Sequence, residues 1–370
     1  MRNPETSVTY VIAAGGTGGH IFPGIALARE VVARRPGAAV VFAGSERGLE
    51  RTLIPAAGFP LETVRAAGFA GKRRRAQAAA LARLPLGILD SWRLLRRRRP
   101  RAVAGFGAYV SVPVLAAARM LGIPTLIHDA NAMPGVANRF LSRFATRVAV
   151  SLPAANARLA RPGVVTGTPV RPEFFAVPPL SSGAAKRRLL VFGGSQGAAP
   201  LNRAVCDAAS ALAAEGVSLV LQTGEKHLAG VERRLSQAGS ASPSVRLEAF
   251  LPRLNEELGA ADLVVARSGA MTVAELAAAG RPAILVPFAS ATHGHQRENA
   301  RALASAGAAI LMEEGDLTGE RLSRVVLDLL GDPERLARMG AAARTLSRPE
   351  AARHLADLLF EAEAAGGRAR

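Results

Sequence analysis

The sequence predicts an α/β protein made of two Rossmann-like parallel-sheet domains. Three observations lead there. Ten short apolar runs alternate along the chain with Ala-, Leu- and Arg-rich segments of helical character. Within the runs, apolar residues are nearly continuous, the mark of strands covered on both faces. The opening unit is also echoed later. VTYVIAAGGTGGHIFPGIALAREVVA and RLLVFGGSQGAAPLNRAVCDAASALAA share one plan of strand, Gly-rich loop and helix, with Gly15-Gly16 mapping onto Gly193-Gly194 at an offset of 178.

In chain order, strands are expected at 8–13, 39–44, 102–107, 124–129 and 147–151 in the first half. The second half follows with 188–194, 218–224, 245–251, 262–269 and 283–288. Ten strands exceed one comfortable sheet, and 370 residues suit two domains. The boundary belongs in TGTPVRPEFFAVPPLSSGAAKRR, which is rich in Pro, Gly and Ser. The expected domains are therefore 1–167 and 168–348, with the amphipathic C-terminal helix at 349–366 returning to the first.

Composition narrows the function classes. The chain has one cysteine, Cys206, so no internal disulfide framework is available and a reducing compartment is expected. No apolar stretch reaches the length of a spanning helix, and the N-terminus lacks a signal-peptide core, so a soluble, unprocessed cytoplasmic protein is expected. The formal charge of +18 favours an anionic partner. Over half of it lies between Gly71 and Arg101, where eleven Lys or Arg face one acid, Asp90. Leu81, Leu84, Leu86, Ile88, Leu89 and Trp92 lie among Lys72, Arg73, Arg74, Arg75 and the arginines near 96–99. A solvated arginine-rich face and nucleic-acid binding are alternatives. Aromatic interleaving is nearly absent, however, and apolar residues beside arginines suit an anionic membrane surface. Pro85 and Gly87 are expected to break this segment into two short pieces.

The common signatures fail. Read from Gly16, the dinucleotide fingerprint G-x-G-x-x-G ends on Ile21; no P-loop, CxxC, HExxH or GxSxG occurs. What remains is generic. Each Gly-rich loop opens a helix whose first N–H groups and dipole favour an anion. Two such loops, one per domain, suit a transfer between two phosphate-bearing molecules.

Six ordered blocks then carry a resemblance: GGTGGHIFPGIALA, GFGAYVSVPV, HDANAMPGVANR, TGTPVRPEF, FGGSQGAAPLN and RSGAMTVAELAAAGRPAILVPF with HQRENA. Together they resemble the MurG family of peptidoglycan glycosyltransferases. The resemblance implies a GT-B fold, two Rossmann-like domains facing across a cleft. It implies inverting transfer of GlcNAc from UDP-GlcNAc to the MurNAc of undecaprenyl-pyrophosphoryl-MurNAc-pentapeptide, forming a β-1,4 bond. UDP-GlcNAc is then a substrate, and no cofactor or essential metal is expected. The place of action is the cytoplasmic face of the plasma (inner) membrane, held peripherally, with cell-wall synthesis proteins as further partners and no nucleic acid. The rivals are another GT-B UDP-sugar enzyme, either an epimerase or a small-molecule glycosyltransferase, and a basic nucleic-acid-binding protein.

The resemblance also assigns residues. His20, at a helix start that favours a neutral imidazole, is the candidate general base or its close support. Thr17, Gly18 and Gly19 offer donors to the acceptor side and to the donor sugar nucleotide. Tyr109, His128 and Asn138 are acceptor-side candidates. Where the family reads HEQN, this chain has His128-Asp129-Ala130-Asn131, which puts in doubt any role needing a long carboxylate at 129. Asn131, Arg171, Ser195, Leu251 and Gln296 are assigned to UDP-GlcNAc, with Ala270, Met271, Thr272, Val273, Ala274 and Glu275. Glu275 would take the ribose diol, where a carboxylate accepts two O–H bonds. Thr272-x-x-Glu275 also reads as a helix capping box.

Overall fold

The computed structural model describes residues 8–46, 48–66, 74–180, 186–238, 244–289 and 294–367, the side chains of 74–82 excepted. The chain divides into two compact units: Met1–Val170 with Arg348–Arg370, and Arg171–Ser347.

Unit 1 runs β1 (Thr9–Ala13), α1 (Gly18–Arg34), β2 (Ala39–Gly44), α2 (Glu50–Ala56), β3 (Leu61–Thr63), α3 (Arg74–Arg98), β4 (Ala102–Gly105), α4 (Ser111–Met120), β5 (Thr125–Asp129), α5 (Val136–Leu141), β6 (Arg147–Val150) and β7 (Val164–Val165). Unit 2 runs α6 (Pro172–Phe175), β8 (Arg188–Phe192), α7 (Ala199–Ala214), β9 (Ser218–Gln222), α8 (Leu228–Gln237), β10 (Val245–Glu248), α9 (Leu254–Ala260), β11 (Leu263–Ala266), α10 (Ala270–Ala279), β12 (Ala283–Leu285), α11 (His295–Ser305), β13 (Ala309–Leu311), α12 (Gly319–Leu330) and α13 (Pro333–Thr345). The last helix, α14 (Ala351–Gly367), belongs to unit 1.

Both sheets are parallel throughout. Their orders are β3-β2-β1-β4-β5-β6-β7 and β10-β9-β8-β11-β12-β13. In each, the order reverses beside the first strand, between β1 and β4 and between β8 and β11. Connections leave such a point in opposite directions, which opens a crevice at the carboxyl ends of the strands. Both Gly-rich loops sit there.

Strand alternation explains the continuous apolar runs. Along β1, Tyr10 and Ile12 face one side and Val11 and Ala13 the other. The first pair packs with Ile21, Leu27, Val31, Leu355 and Leu359 from α1 and α14. The second packs with Leu94, Leu95, Val114 and Leu115 from α3 and α4. Unit 2 has its own core around Val191, Leu221, Val265 and Ile284.

The segment after residue 73 differs from expectation. It is one helix, α3, with Pro85 inside it. The turns after Pro85 are anchored by tertiary contacts that override the missing N–H. Leu94 and Leu95 are buried, and the Ser91 hydroxyl donates to Gly87 O at 2.7 Å. Gly87 lies so close to the Arg65 carbonyl that a Cβ would overlap it. Ile88 and Trp92 turn toward the unit 1 core instead of outward, whereas Leu86 and Leu89 stand 43% and 39% exposed. Arg97 and Arg98 both pair with Glu62, Asp90 takes a two-pronged pair from Arg65 at 2.6 Å, and Arg96 lies over the Trp92 ring. Lys72 and Arg73 lie outside the described residues, as do the side chains of Arg74, Arg75 and Leu81. No helix of the described residues is long and apolar enough to cross a membrane.

Candidate active site

In unit 1 the first glycine loop turns at Gly16, whose φ of +84° is the left-handed region that glycine enters freely. Thr17 is the N-cap of α1, yet its hydroxyl does not cap the helix. It lies 3.2 Å from Nδ1 of His20. The first turn of α1 contains no acid. Its N–H groups and positive dipole end therefore suit a bound anion. If His20 is to accept a proton at Nε2, Nδ1 must carry hydrogen and donate to Thr17 Oγ1, so this pair can select the competent tautomer.

The loop after β4 closes on the same place. A Cβ on Gly107, at φ +79°, would stand 3.4 Å from His20 Cδ2 and 3.4 Å from Asn138 Nδ2. Glycine there lets imidazole, loop and amide meet. The Tyr109 ring reaches within 3.6 Å of the Cβ position of Gly16, and its hydroxyl lies 3.4 Å from Ser45 Oγ.

Two of the acceptor-side candidates, His128 and Asn138, are buried. His128 is 1% exposed, so its ring is not offered to a ligand. A carbonyl can only accept, so Nε2–H of His128 donates to Gly167 O at 3.0 Å. Burial, opposed by that bond, holds its pKa down at about 4, with His20 also lowering it. It is a neutral scaffold residue. Asn138 is buried too, and donates to His128 O and Asp129 Oδ2 at 2.9 and 3.0 Å. Asp129 in turn accepts from the backbone of Asn131 and Gly135, each at 3.0 Å. The short carboxylate at 129 thus ties its own loop together, and burial raises its pKa. Asn131 is half-buried above this knot.

In unit 2, Ser195 is exposed on the turn between β8 and α7. A Cβ on Gly197, at φ +69°, would overlap the Thr223 carbonyl, and Asn202 Nδ2 donates to that same oxygen at 2.9 Å. The loop is pressed onto the end of β9 and leaves the N-terminus of α7 uncapped by any side chain.

The block from Arg267 to Glu275 does not form a capping box. Helix α10 starts at Ala270 with Gly269 as N-cap, so Thr272 lies within the first turn and Glu275 in the second. Glycine supplies no capping side chain, and the N–H groups at the helix start are left for a ligand. Ala270, Met271, Thr272 and Ala274 are half-buried along this turn. The Val273 side chain is buried and its N–H donates to Gly269 O at 3.0 Å. The Glu275 carboxyl is pushed up to about 7 by loss of water, lowered somewhat by Arg171 and raised by Glu173. Arg171 is exposed, 3.4 Å from Glu173 and over the Phe174 ring. Leu251 is buried, so it offers only its backbone. Gln296 accepts from Phe288 N–H at 3.0 Å, which leaves its amide hydrogens as the donors it can offer.

Sequence reasoning missed two supports. Arg267 is buried, ion-paired with Glu314, and donates to Val286 O and Pro287 O at 3.2 and 3.1 Å. Its guanidinium fixes the ends of β11 and β12 together; the signal was an arginine ending an apolar strand. Glu50 lies fully buried under the first glycine loop. Among the described residues, no group of three or more His, Cys, Asp or Glu is gathered to hold a metal.

Comparison with known proteins agrees with this layout. Residues 10–150 match the glycosyltransferase family 28 N-terminal domain, and residues 188–355 match its C-terminal domain. The chain is 44% identical over 357 residues to the UDP-N-acetylglucosamine–N-acetylmuramyl-(pentapeptide) pyrophosphoryl-undecaprenol N-acetylglucosamine transferase of Anaeromyxobacter dehalogenans strain 2CP-C, covering 95% of this chain and 92% of that one. It is 43% identical over 351 residues to the Methylococcus capsulatus protein of the same name, covering 95% and 98%. The crystal structure of Acinetobacter baumannii MurG superposes with a TM-score of 0.79 at 28% identity, covering 96% of this chain and 99% of that one. A two-domain fold with an uncapped, glycine-led helix start in each half, matched over nearly its whole length, places this chain in the MurG family of glycosyltransferases.

Proposed function

We propose that the chain moves GlcNAc from UDP-GlcNAc to the MurNAc of undecaprenyl-pyrophosphoryl-MurNAc-pentapeptide, converting lipid I to lipid II. The observation that carries this reading is the division of labour between the units. Unit 1 presents an imidazole beside an uncapped helix start. Unit 2 presents a second uncapped helix start with a carboxylate on the following turn.

The acceptor pyrophosphate would lie against Gly18 and Gly19, whose N–H groups open α1, and beside the Thr17 hydroxyl, since the Thr17 N–H donates to Gly15 O at 3.1 Å. His20 Nε2 takes the proton of the acceptor hydroxyl as its oxygen attacks the anomeric carbon. The bond from that carbon to the UDP oxygen breaks with inversion, giving the β-1,4 link. The departing UDP carries the electron pair, stabilised by the starts of α7 and α10 and by Ser195. Glu275 accepts the ribose hydroxyls, Arg171 stands by the phosphates, and Gln296 and Asn131 address the sugar.

Exposed Leu86 and Leu89 with neighbouring arginines favour a peripheral seat on an anionic membrane surface. That is where a polyprenyl acceptor resides, and a soluble acceptor gives no reason for the patch.

The test compares wild type with His20→Ala and Glu275→Ala using radiolabelled UDP-GlcNAc and a short-chain lipid acceptor. His20→Ala is expected to lose about 100- to 10,000-fold in kcat, with UDP binding retained. Glu275→Ala is expected to raise the donor KM. Unimpaired His20→Ala removes the base assignment, and no transfer by wild type overturns the function.

A further inference from the structure

Beneath the first glycine loop lies a carboxylate that this chemistry leaves unused. Glu50, the first residue of α2, is 0% exposed. Its Oε2 accepts the Gly16 N–H at 2.9 Å. Its Oε1 accepts the Ser45 N–H at 3.2 Å and the Ser45 hydroxyl at 2.5 Å. Three glycines make room for it: a Cβ on Gly15 would stand 2.8 Å from Oε1, one on Gly44 would stand 3.1 Å from Cγ, and one on Gly48 would overlap Oε2. Gly15 is therefore small for the sake of Glu50, not of a ligand.

Two lines run outward from this carboxylate. Holding the Gly16 N–H fixes the left-handed turn that leads directly into Thr17, whose hydroxyl lies 3.2 Å from His20 Nδ1. Along the other line, the Ser45 hydroxyl donates its hydrogen to Oε1. With its hydrogen given to Glu50, Ser45 Oγ can only accept toward Tyr109, whose O–H lies 3.4 Å away. That commits the Tyr109 hydrogen inward and turns its oxygen lone pairs toward whatever rests on the loop.

We propose that Glu50 is a positioning residue for the acceptor side, setting His20 through Gly16 and Thr17 and setting Tyr109 as a hydrogen-bond acceptor through Ser45. This rests on the reading that the Gly15–His20 loop serves the lipid acceptor. Both of its oxygens accept; an amide has one acceptor oxygen and would turn its NH2 on a donor.

The experiment measures kcat and both KM values for full-length Glu50→Gln, Ser45→Ala, Tyr109→Phe and the double variant Glu50→Gln/Tyr109→Phe, with UDP calorimetry counting competent sites. Glu50→Gln is expected to lower kcat/KM for the lipid acceptor by about 10- to 100-fold, with the UDP Kd and stoichiometry unchanged. Its effect should shrink in the Tyr109→Phe background. A purely structural role would lower the UDP stoichiometry and leave per-site kinetics at the wild-type level, with additive effects, and either result overturns the proposal. If Glu50→Gln does not fold, Ser45→Ala decides: a several-fold acceptor-side loss that vanishes beside Tyr109→Phe supports the proposal, and wild-type acceptor kinetics overturn it. If wild type itself transfers nothing to the lipid, the acceptor reading falls and this proposal with it. Normal wild-type transfer with unimpaired variants removes only the role of Glu50.

Discussion

Glu275 and His128 are shifted in opposite directions by the same cause, removal from water, and each shift yields a pH dependence of definite sign. The Glu275 carboxyl titrates at about 7 in the free protein. In the proposed donor site the ribose diol would donate two hydrogens and so bind the ionised form. Donor affinity should therefore rise with pH through 7, by about tenfold between pH 6 and pH 8, with a proton released on binding. Calorimetry at the two pH values checks this, and Glu275→Gln should flatten the profile. His128 behaves inversely as a stability term. Its folded pKa, about 4, lies below the ordinary 6.5, so the unfolded chain binds the proton more readily. Stability is full above pH 6.5 and falls as pH drops toward 4, by roughly 3 kcal/mol for this one group. Denaturant titrations at pH 7 and pH 4.5 should show that loss, reduced in His128→Gln, whose amide can still donate to Gly167 O. At this scale much was legible in one dimension. His20, Ser195 and Glu275 stand in short local blocks beside helix starts. Glu50 was not legible, because its meaning comes from Gly16, 34 positions earlier in the chain. Nor was the burial of His128, since polar spelling says nothing of a neighbouring Gly167 carbonyl.

Among the elements, the ten apolar runs all became strands, because continuous apolar residues have no stable place except between two helical layers. The three strands that periodicity did not reveal, β3, β7 and β13, have only two or three residues, too few to show a pattern. Helix α3 shows how tertiary packing overrides a local rule: Pro85 should end a helix, yet Leu94 and Leu95 seat the following turns in the core. The capping-box reading failed for the opposite reason. Its spacing is correct, but the chain enters the helix three residues earlier, at Gly269. The same helix α3 carries the membrane claim, now on Leu86 and Leu89 with Trp92 turned in. The double substitution Leu86→Asp/Leu89→Asp should abolish flotation with phosphatidylglycerol vesicles. It should change unfolding free energy by only about 0.5 kcal/mol, as exposed sites do. Retained binding would move the membrane contact elsewhere.

For the whole molecule, two sheets of one plan explain why two glycine loops recur, each at its own reversal of strand order. The division between the units follows Val170, in a stretch rich in Pro, Gly and Ser. The return of α14 to unit 1 gives a further expectation. Leu355 and Leu359 are fully buried against Tyr10 and Ile12. Truncation after Ser347 should unfold unit 1, with a loss of roughly 2 to 3 kcal/mol for each large side chain removed, read as a lowered first thermal transition. The central claim, that this architecture performs an inverting transfer to a lipid-linked sugar, is tested most directly by product analysis. Full-length protein is incubated with UDP-GlcNAc and a short-chain lipid acceptor, and the released UDP and the anomeric configuration of the new disaccharide are measured. The account predicts one UDP per disaccharide, a β-linked product, and no UDP release without acceptor. An α-linked product, or UDP released with no disaccharide formed, would contradict it.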